Sequence, residues 1–164
     1  MLAAALLATL ATATCDQHVE GRAPTPEERR AAVRQSVRAH GVTFWGLRNA
    51  RTHTFDGRRW NRVYKAGLGV RAGKPMRIRV AARDRAWLKL DYDRTREPYV
   101  GSHELRAIPC APDTPRFSDD GVVGNETGWA GGFIVERNGC ATLLLRREGE
   151  RRWTRVRVAF GRRC

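Results

Sequence analysis

The chain predicts an all-β fold, an antiparallel β-sandwich with one short helix near its start. Three observations point there. From residue 42 onward apolar residues recur with a period of two, best seen in Met76-Arg77-Ile78-Arg79-Val80 and Thr154-Arg155-Val156-Arg157-Val158-Ala159-Phe160. Turn-forming clusters (Asp56-Gly57, Ala72-Gly73-Lys74-Pro75, Asp119-Asp120-Gly121, Asn138-Gly139) separate the runs. Finally, 164 residues with 41% hydrophobic and 29% charged side chains suit one folded domain and exclude a collagen-like or compositionally disordered polymer.

The first element is a leader over residues 1–15. Met1 to Cys15 carries no charge, and a helix of about 15 residues spans roughly 22 Å, short of the roughly 30 Å hydrocarbon layer. The Leu/Ala run ending in small residues predicts a secretory signal, although the basic front is missing. Two readings of its end stay open. Ala11-Thr12-Ala13 fits small-x-small cleavage and leaves Cys15 in a secreted product. Alternatively Cys15 is the first mature residue, acylated on its sulfur as in bacterial lipoproteins and so membrane-anchored, with Thr12 and Thr14 departing from that pattern.

Residues 16–41 read as a tether and a helix. Thr25-Pro26-Glu27-Glu28 supplies a cap, a first-turn proline and a capping-box glutamate, Gly41 a stop, and the helix is expected over 26–39. Its apolar face is limited to Ala31, Ala32, Val33 and Val37.

Residues 42–164 hold the sandwich. Besides the two alternating runs, strands are expected at Val42–Leu47, Arg62–Val70, Ala86–Tyr92, His103–Pro109, Gly132–Glu136 and Ala141–Arg147. Eight short strands with this punctuation predict an immunoglobulin-like sandwich. No internal repeat is present.

Cys110, Cys140 and Cys164 are scattered without a C-x-x-C pair, which favours disulfides in an oxidising compartment over zinc or redox motifs. A hairpin of 141–147 with 152–160 around Glu148–Arg151 places Cys140 opposite Ala159, which disfavours a Cys140–Cys164 bond. Cys110–Cys140 or Cys110–Cys164 is expected instead.

Ala86-Trp87-Leu88, Cys110 with Asp113-Thr114-Pro115-Arg116-Phe117-Ser118, and Trp129-Ala130-Gly131-Gly132-Phe133 with Gly139-Cys140 behind it resemble a family of small exported actinobacterial proteins of unknown function. The resemblance covers roughly residues 42–164. It implies an extracytoplasmic β-rich domain and carries over no catalytic or binding residue.

Motifs of chemistry are sparse. No phosphate-cradling loop, full dinucleotide fingerprint, zincin motif or nucleophile elbow can be read. Gly67-Leu68-Gly69-Val70-Arg71-Ala72 lacks a following helix. In Ser102-His103-Glu104 strand parity points the histidine away from its neighbours. His18, His40, His53 and His103 show no i, i+4 spacing, so no metal site is expected, nor any cofactor. Asp91 with Asp93 and the Asp119-Asp120-Gly121 turn offer carboxylates, with backbone hydrogen bonding as their ordinary role. Asn125-Glu126-Thr127 matches the glycosylation pattern.

The formal charge is +14, and of 31 basic residues only Lys65, Lys74 and Lys89 are lysine, a skew that a GC-rich genome produces by itself. Arg77, Arg79, Arg155 and Arg157 nevertheless alternate with apolar residues and are expected to form a cationic, anion-binding outer face. Its partners would be anionic envelope polymers or lipid surfaces, and nucleic acid is not expected outside the cell. Five tryptophans, Trp45, Trp60, Trp87, Trp129 and Trp153, are many for this length, and parity exposes Trp87 and Trp153. The expected function is therefore a non-enzymatic binding or structural protein of the cell envelope. The alternatives are a carbohydrate-binding module using Trp87 and Trp153, or an enzyme with a carboxylate site at Asp91 and Asp93.

Overall fold

The structure, a computed structural model, describes residues 10–20, 24–56, 63–93 and 100–164. Gly57, Trp60 and Arg62, which the sequence places in a turn, among the tryptophans and at a strand start, lie outside them. The chain forms an all-β, predominantly antiparallel sandwich of twelve described strands: β1 (Ala11–Ala13), β2 (Val37–Ala39), β3 (Val42–Trp45), β4 (Val63–Lys65), β5 (Gly67–Arg71), β6 (Met76–Val80), β7 (Leu88–Asp91), β8 (Glu104–Ala107), β9 (Glu126–Trp129), β10 (Gly132–Val135), β11 (Gly139–Arg147) and β12 (Thr154–Phe160). They hydrogen-bond as three sheets, ordered β1-β8-β6-β11-β12, β4-β10-β7 and β2-β3-β5-β9.

The helix α1 (Pro26–Arg34) starts as expected. Thr25 Oγ1 accepts from the Glu28 N–H, and the Glu28 carboxylate accepts from the Thr25 N–H at 2.8 Å. It ends five residues earlier than expected, because the β-branched Val37 joins β2 and pairs with Phe44. Gly41 is then not a helix stop. With His40 it forms the two-residue turn between β2 and β3, both residues at positive φ (51° and 76°), the geometry such hairpins require.

The β11–β12 hairpin holds the expected register, Cys140 opposite Ala159 and Leu143 opposite Val156. The disulfide pairing inferred from it is nevertheless wrong. Cys140 bonds Cys164, and Cys15 bonds Cys110. Register governs only residues within the strand, and the chain leaves β12 at Gly161, whose φ of 65° and N–H bond to Ala50 O turn the tail back toward Cys140. A side chain at Gly161 would collide with Asn138.

The start of the chain departs most from expectation. Ala11–Ala13 is not a detached leader end but β1, parallel to β8, with Ala11 and Ala13 buried. The folded unit thus reaches back to Ala11, beyond the boundary expected at residue 42. The Cys15 sulfur, acylated on one of the two readings of the leader, is instead occupied by Cys110. Two further bonds hold this segment: Trp129 Nε1 donates to Thr14 O (2.8 Å), and the Thr12 N–H donates to Asp93 Oδ2 (3.2 Å).

All three sheets contribute to one core. Their meeting point is Phe133 on β10, fully buried, with ring centroids 5.6 Å from Phe44 (β3), 5.5 Å from Phe160 (β12) and 5.9 Å from Tyr92. Tilted and edge-on aromatic pairs of this kind add to the transfer energy of burial. Next to it, Gly131 and Gly132 must stay glycine, because a Cβ there would strike Asp91 O and Tyr64 O. Phe133→Ala is expected to lower the unfolding free energy by about 3–5 kcal/mol, against a smaller loss for Phe133→Leu. Urea denaturation followed by tryptophan fluorescence measures both.

Candidate functional site

The period-two pattern of β6, β8, β11 and β12 sends Ile78, Val80, Leu105, Leu143, Leu145, Val156 and Val158 into the core. The same alternation sends the arginines outward. Register aligns them in rows across the sheet: Arg106, Arg77 and Arg146 in one, and Glu104, Arg79, Leu144 and Arg155 in the next.

The four arginines expected to form one cationic face fall into two groups. Arg77 and Arg79 converge on Glu104, with Arg77 Nη2 3.0 Å and Arg79 Nη2 2.8 Å from its carboxylate. Arg106 is likewise held by Glu148, through Nη2 at 3.0 Å, and this hydrogen bond raises the guanidinium pKa and lowers that of Glu148. The β6 and β8 half of the face is therefore largely compensated, a feature the strand pattern could not reveal because it depends on cross-strand partners. Arg155 and Arg157 on the edge strand β12 are exposed, and no described carboxylate lies within ion-pair distance of either. Beside Arg155 a depression of about 290 Å³ is lined by Ala81, Ala82, Arg83, Thr142 and Leu144. Its base is mostly apolar. Arg83 is positioned by bonds to Thr142 Oγ1 (2.9 Å) and by Asp84 (3.7 Å), while Asp84 is fixed by the Thr142 N–H (2.8 Å).

Among the described tryptophans, Trp87, Trp129 and Trp153 do not line up as one exposed row. Trp87 is buried at 4% exposure, contrary to the parity argument, because it precedes β7 in a turn whose N–H bonds Asp84 O. Its ring packs edge-on against Phe160 and lies beneath Arg137. Trp129 is buried as well. Trp153 is half-buried, with Arg79 and Arg146 over its ring at 4.7 and 4.4 Å.

The remaining candidates are dispersed or structural. Asp93 is engaged by the β1 backbone. Ser102 donates to Glu104 O, and His103 faces Arg85 O, its pKa lowered by burial. Asp119 accepts from the Gly121 N–H and pairs with Arg116 at 3.5 Å. In the glycosylation pattern Thr127 is buried and its hydroxyl accepts from the Cys110 N–H. Gly67–Arg71 is strand β5, not a nucleotide loop.

One cluster escaped the histidine-spacing test. Cys15 opens a single 3-10 turn (Cys15–Gln17) that His18 closes, and three residues per turn place positions i and i+3 above one another. Cys110, just beyond the end of the neighbouring strand β8, meets them, so one donor atom from each of Cys15, His18 and Cys110 lies within 4.8 Å of the others. The available signal was Cys15-x-x-His18. His18 Nε2 is 2.7 Å from Glu20 Oε1, and Nδ1 is 2.7 Å from Cys15 O. Glu20 in turn accepts the N–H groups of Phe117 (2.8 Å) and Ser118 (2.7 Å). Although burial pushes its pKa up, bonds from the Ser118 side chain, the Phe117 and Ser118 backbone and His18 prevail, and hold Glu20 at about 2 against an ordinary 4.5.

A carboxylate with a lowered folded-state pKa contributes stability above its unfolded value and loses it as pH falls. Native stability is therefore expected to drop between pH 4.5 and about 2 in part through Glu20. In Glu20→Gln that fall should be shallower, with lower stability at pH 7, as read from denaturant midpoints at pH 7, 4 and 2.5.

No family model, curated protein or solved structure matches this chain.

Proposed function

We propose that this protein is an exported, non-enzymatic binding protein of the cell envelope that uses the β12 side of its outer sheet to hold phosphate-bearing anions. The observation that carries the reading is the pairing of two exposed guanidiniums, Arg155 and Arg157, which meet no carboxylate among the described residues, with the apolar-based depression beside Arg83. Arginine presents a planar fork suited to phosphate oxygens, and its hydration is weak enough to be given up at an interface. Leu144 and the two alanines add a dry floor against which an acyl or glycerol moiety loses water.

Export is supported by two disulfides, which persist outside the reducing cytoplasm. The resemblance to small exported actinobacterial proteins agrees with it. Among the described residues no helix is long and apolar enough to cross a membrane. The buried β1 supports a leader that ends before Ala11, and the Cys15–Cys110 bond favours an unacylated Cys15. Intact mass of the protein from its native host should show a chain that keeps Ala11 and carries an unacylated Cys15. A chain starting at Thr14, or an acylated Cys15, overturns this part of the reading.

Binding is tested by co-sedimentation with anionic phospholipid vesicles and, separately, by titration with a soluble phosphodiester polymer. Each arginine near such a surface is worth about 1 kcal/mol, so Arg155→Gln/Arg157→Gln should weaken binding about 25-fold. The same exchange at Arg77 and Arg79, already paired with Glu104, should matter less. Attraction should fade as salt shortens the screening length to about 8 Å. Absence of binding to both probes at low salt refutes the proposal, and a preference for one identifies the source of the phosphate.

A further inference from the structure

We infer that Cys15, His18 and Cys110 form a redox-gated site for a thiophilic d10 metal ion, Cu⁺ or Zn²⁺, distinct from the arginine face. Two thiolates and an imidazole are the donors such ions prefer. Metal–sulfur and metal–nitrogen bonds of about 2.3 and 2.0 Å place three donors around one ion about 4 Å apart. The three donor atoms lie within 4.8 Å of one another, the two sulfurs bonded to each other, so after reduction the sulfurs need to part by about 2 Å to take an ion between them and the imidazole.

The surroundings carry the inference beyond simple proximity. Metal-bound histidines are usually oriented by a carboxylate on the nitrogen that does not face the ion. His18 has that partner in Glu20, at 2.7 Å on Nε2, which leaves Nδ1, beside the Cys15 backbone, as the ligand atom. Glu20 is itself fixed in place by the Phe117 and Ser118 N–H groups, and Phe117 stacks on the imidazole at 4.9 Å. His18 and Cys110 are buried, at 8% and 2% exposure, and Cys15 is half-buried, so two of the three donors are shielded from competing water. Disulfide bonding alone requires none of this shell. Among the described residues, the second disulfide, Cys140–Cys164, gathers no comparable third donor.

The gate is the Cys15–Cys110 bond. An external dithiol supplies two electrons and two protons to it and is itself oxidised to a disulfide, leaving two thiols. Ion binding then releases to solvent both thiol protons and the Nδ1 proton that His18 donates to Cys15 O, so that Nδ1 turns its lone pair to the ion while Nε2–H stays on Glu20. Reoxidation by a disulfide of higher potential releases the ion and restores the bond.

The experiment uses the Cys140→Ser/Cys164→Ser protein, reduced with a dithiol, freed of reductant under anaerobic conditions and checked for fold by far-UV circular dichroism. It is titrated with Cu⁺ against a chromogenic chelator and, in parallel, with Zn²⁺. One ion per chain is expected after reduction and none before it. Glu20→Gln should lower affinity 10–100-fold at unchanged stoichiometry, and His18→Gln should lower it at least 100-fold. Should the double cysteine variant not fold, the same titration on the parent chain, with Cys15→Ser as the control, reads the same site. Failure of both ions to bind the reduced, folded protein overturns the inference, and so does a His18→Gln variant that binds as tightly as its parent.

Discussion

Three small sheets can make a stable domain only if they share an interior, and in this chain that interior closes on one ring. Phe133 touches aromatic residues from the other two sheets as well as Tyr92 within its own neighbourhood. None of the sheets is wide: the one that carries Phe133 has three described strands, and the β2-β3-β5-β9 sheet has four. Strand pairing alone cannot hold such sheets in place, since an isolated small sheet has no second layer against which to bury its face. Because the ring is shared, displacing it unpacks all three sheets. The glycines at 131 and 132 serve the same end by letting β10 approach its neighbours more closely than any Cβ would permit.

A second constraint is covalent. The Cys15–Cys110 bond joins residues 95 positions apart, and the segment it ties down contains β1, which has only three residues to pair with β8. Three residues of parallel pairing are weak by themselves. The bond supplies the persistence that the hydrogen bonds lack, and Trp129, Asp93 and Glu20 then each fix one point of the segment. An apolar, alanine-rich stretch reads as a leader in sequence because small uncharged residues suit a cleavage site and a tight buried strand equally well. The strand at Ala11–Ala13 becomes legible only with its partner β8 in view.

The same distinction separates what was legible from what was not. Strands whose own alternation carries the information were readable: β6 and β12 have the bounds the sequence implies, and the β11–β12 register follows from its turn. Short strands whose existence depends on a partner were not, among them β1, β2 and β9. Disulfide pairing failed for a related reason, since register arguments stop where a strand stops and Gly161 ends β12 before Cys164. Trp87 shows the limit of parity: one residue outside the strand, alternation no longer says which way a side chain points.

The outward arginines show how the site, too, depends on neighbours. Register sets Arg106, Arg77 and Arg146 side by side, an arrangement that repels unless compensated. Compensation is supplied where crowding is greatest, by Glu104, by Glu148 and by the Trp153 ring. On β12, Arg155 and Arg157 meet no carboxylate among the described residues. Charge on an edge strand also discourages pairing with other chains, and Arg155 and Arg157 serve that purpose wherever they sit along the strand. An edge guard, however, has no need of an apolar hollow or of an Arg83 buttressed by Thr142 and Asp84. The coincidence of exposed guanidiniums with an apolar, shaped floor is more than a solvated edge requires.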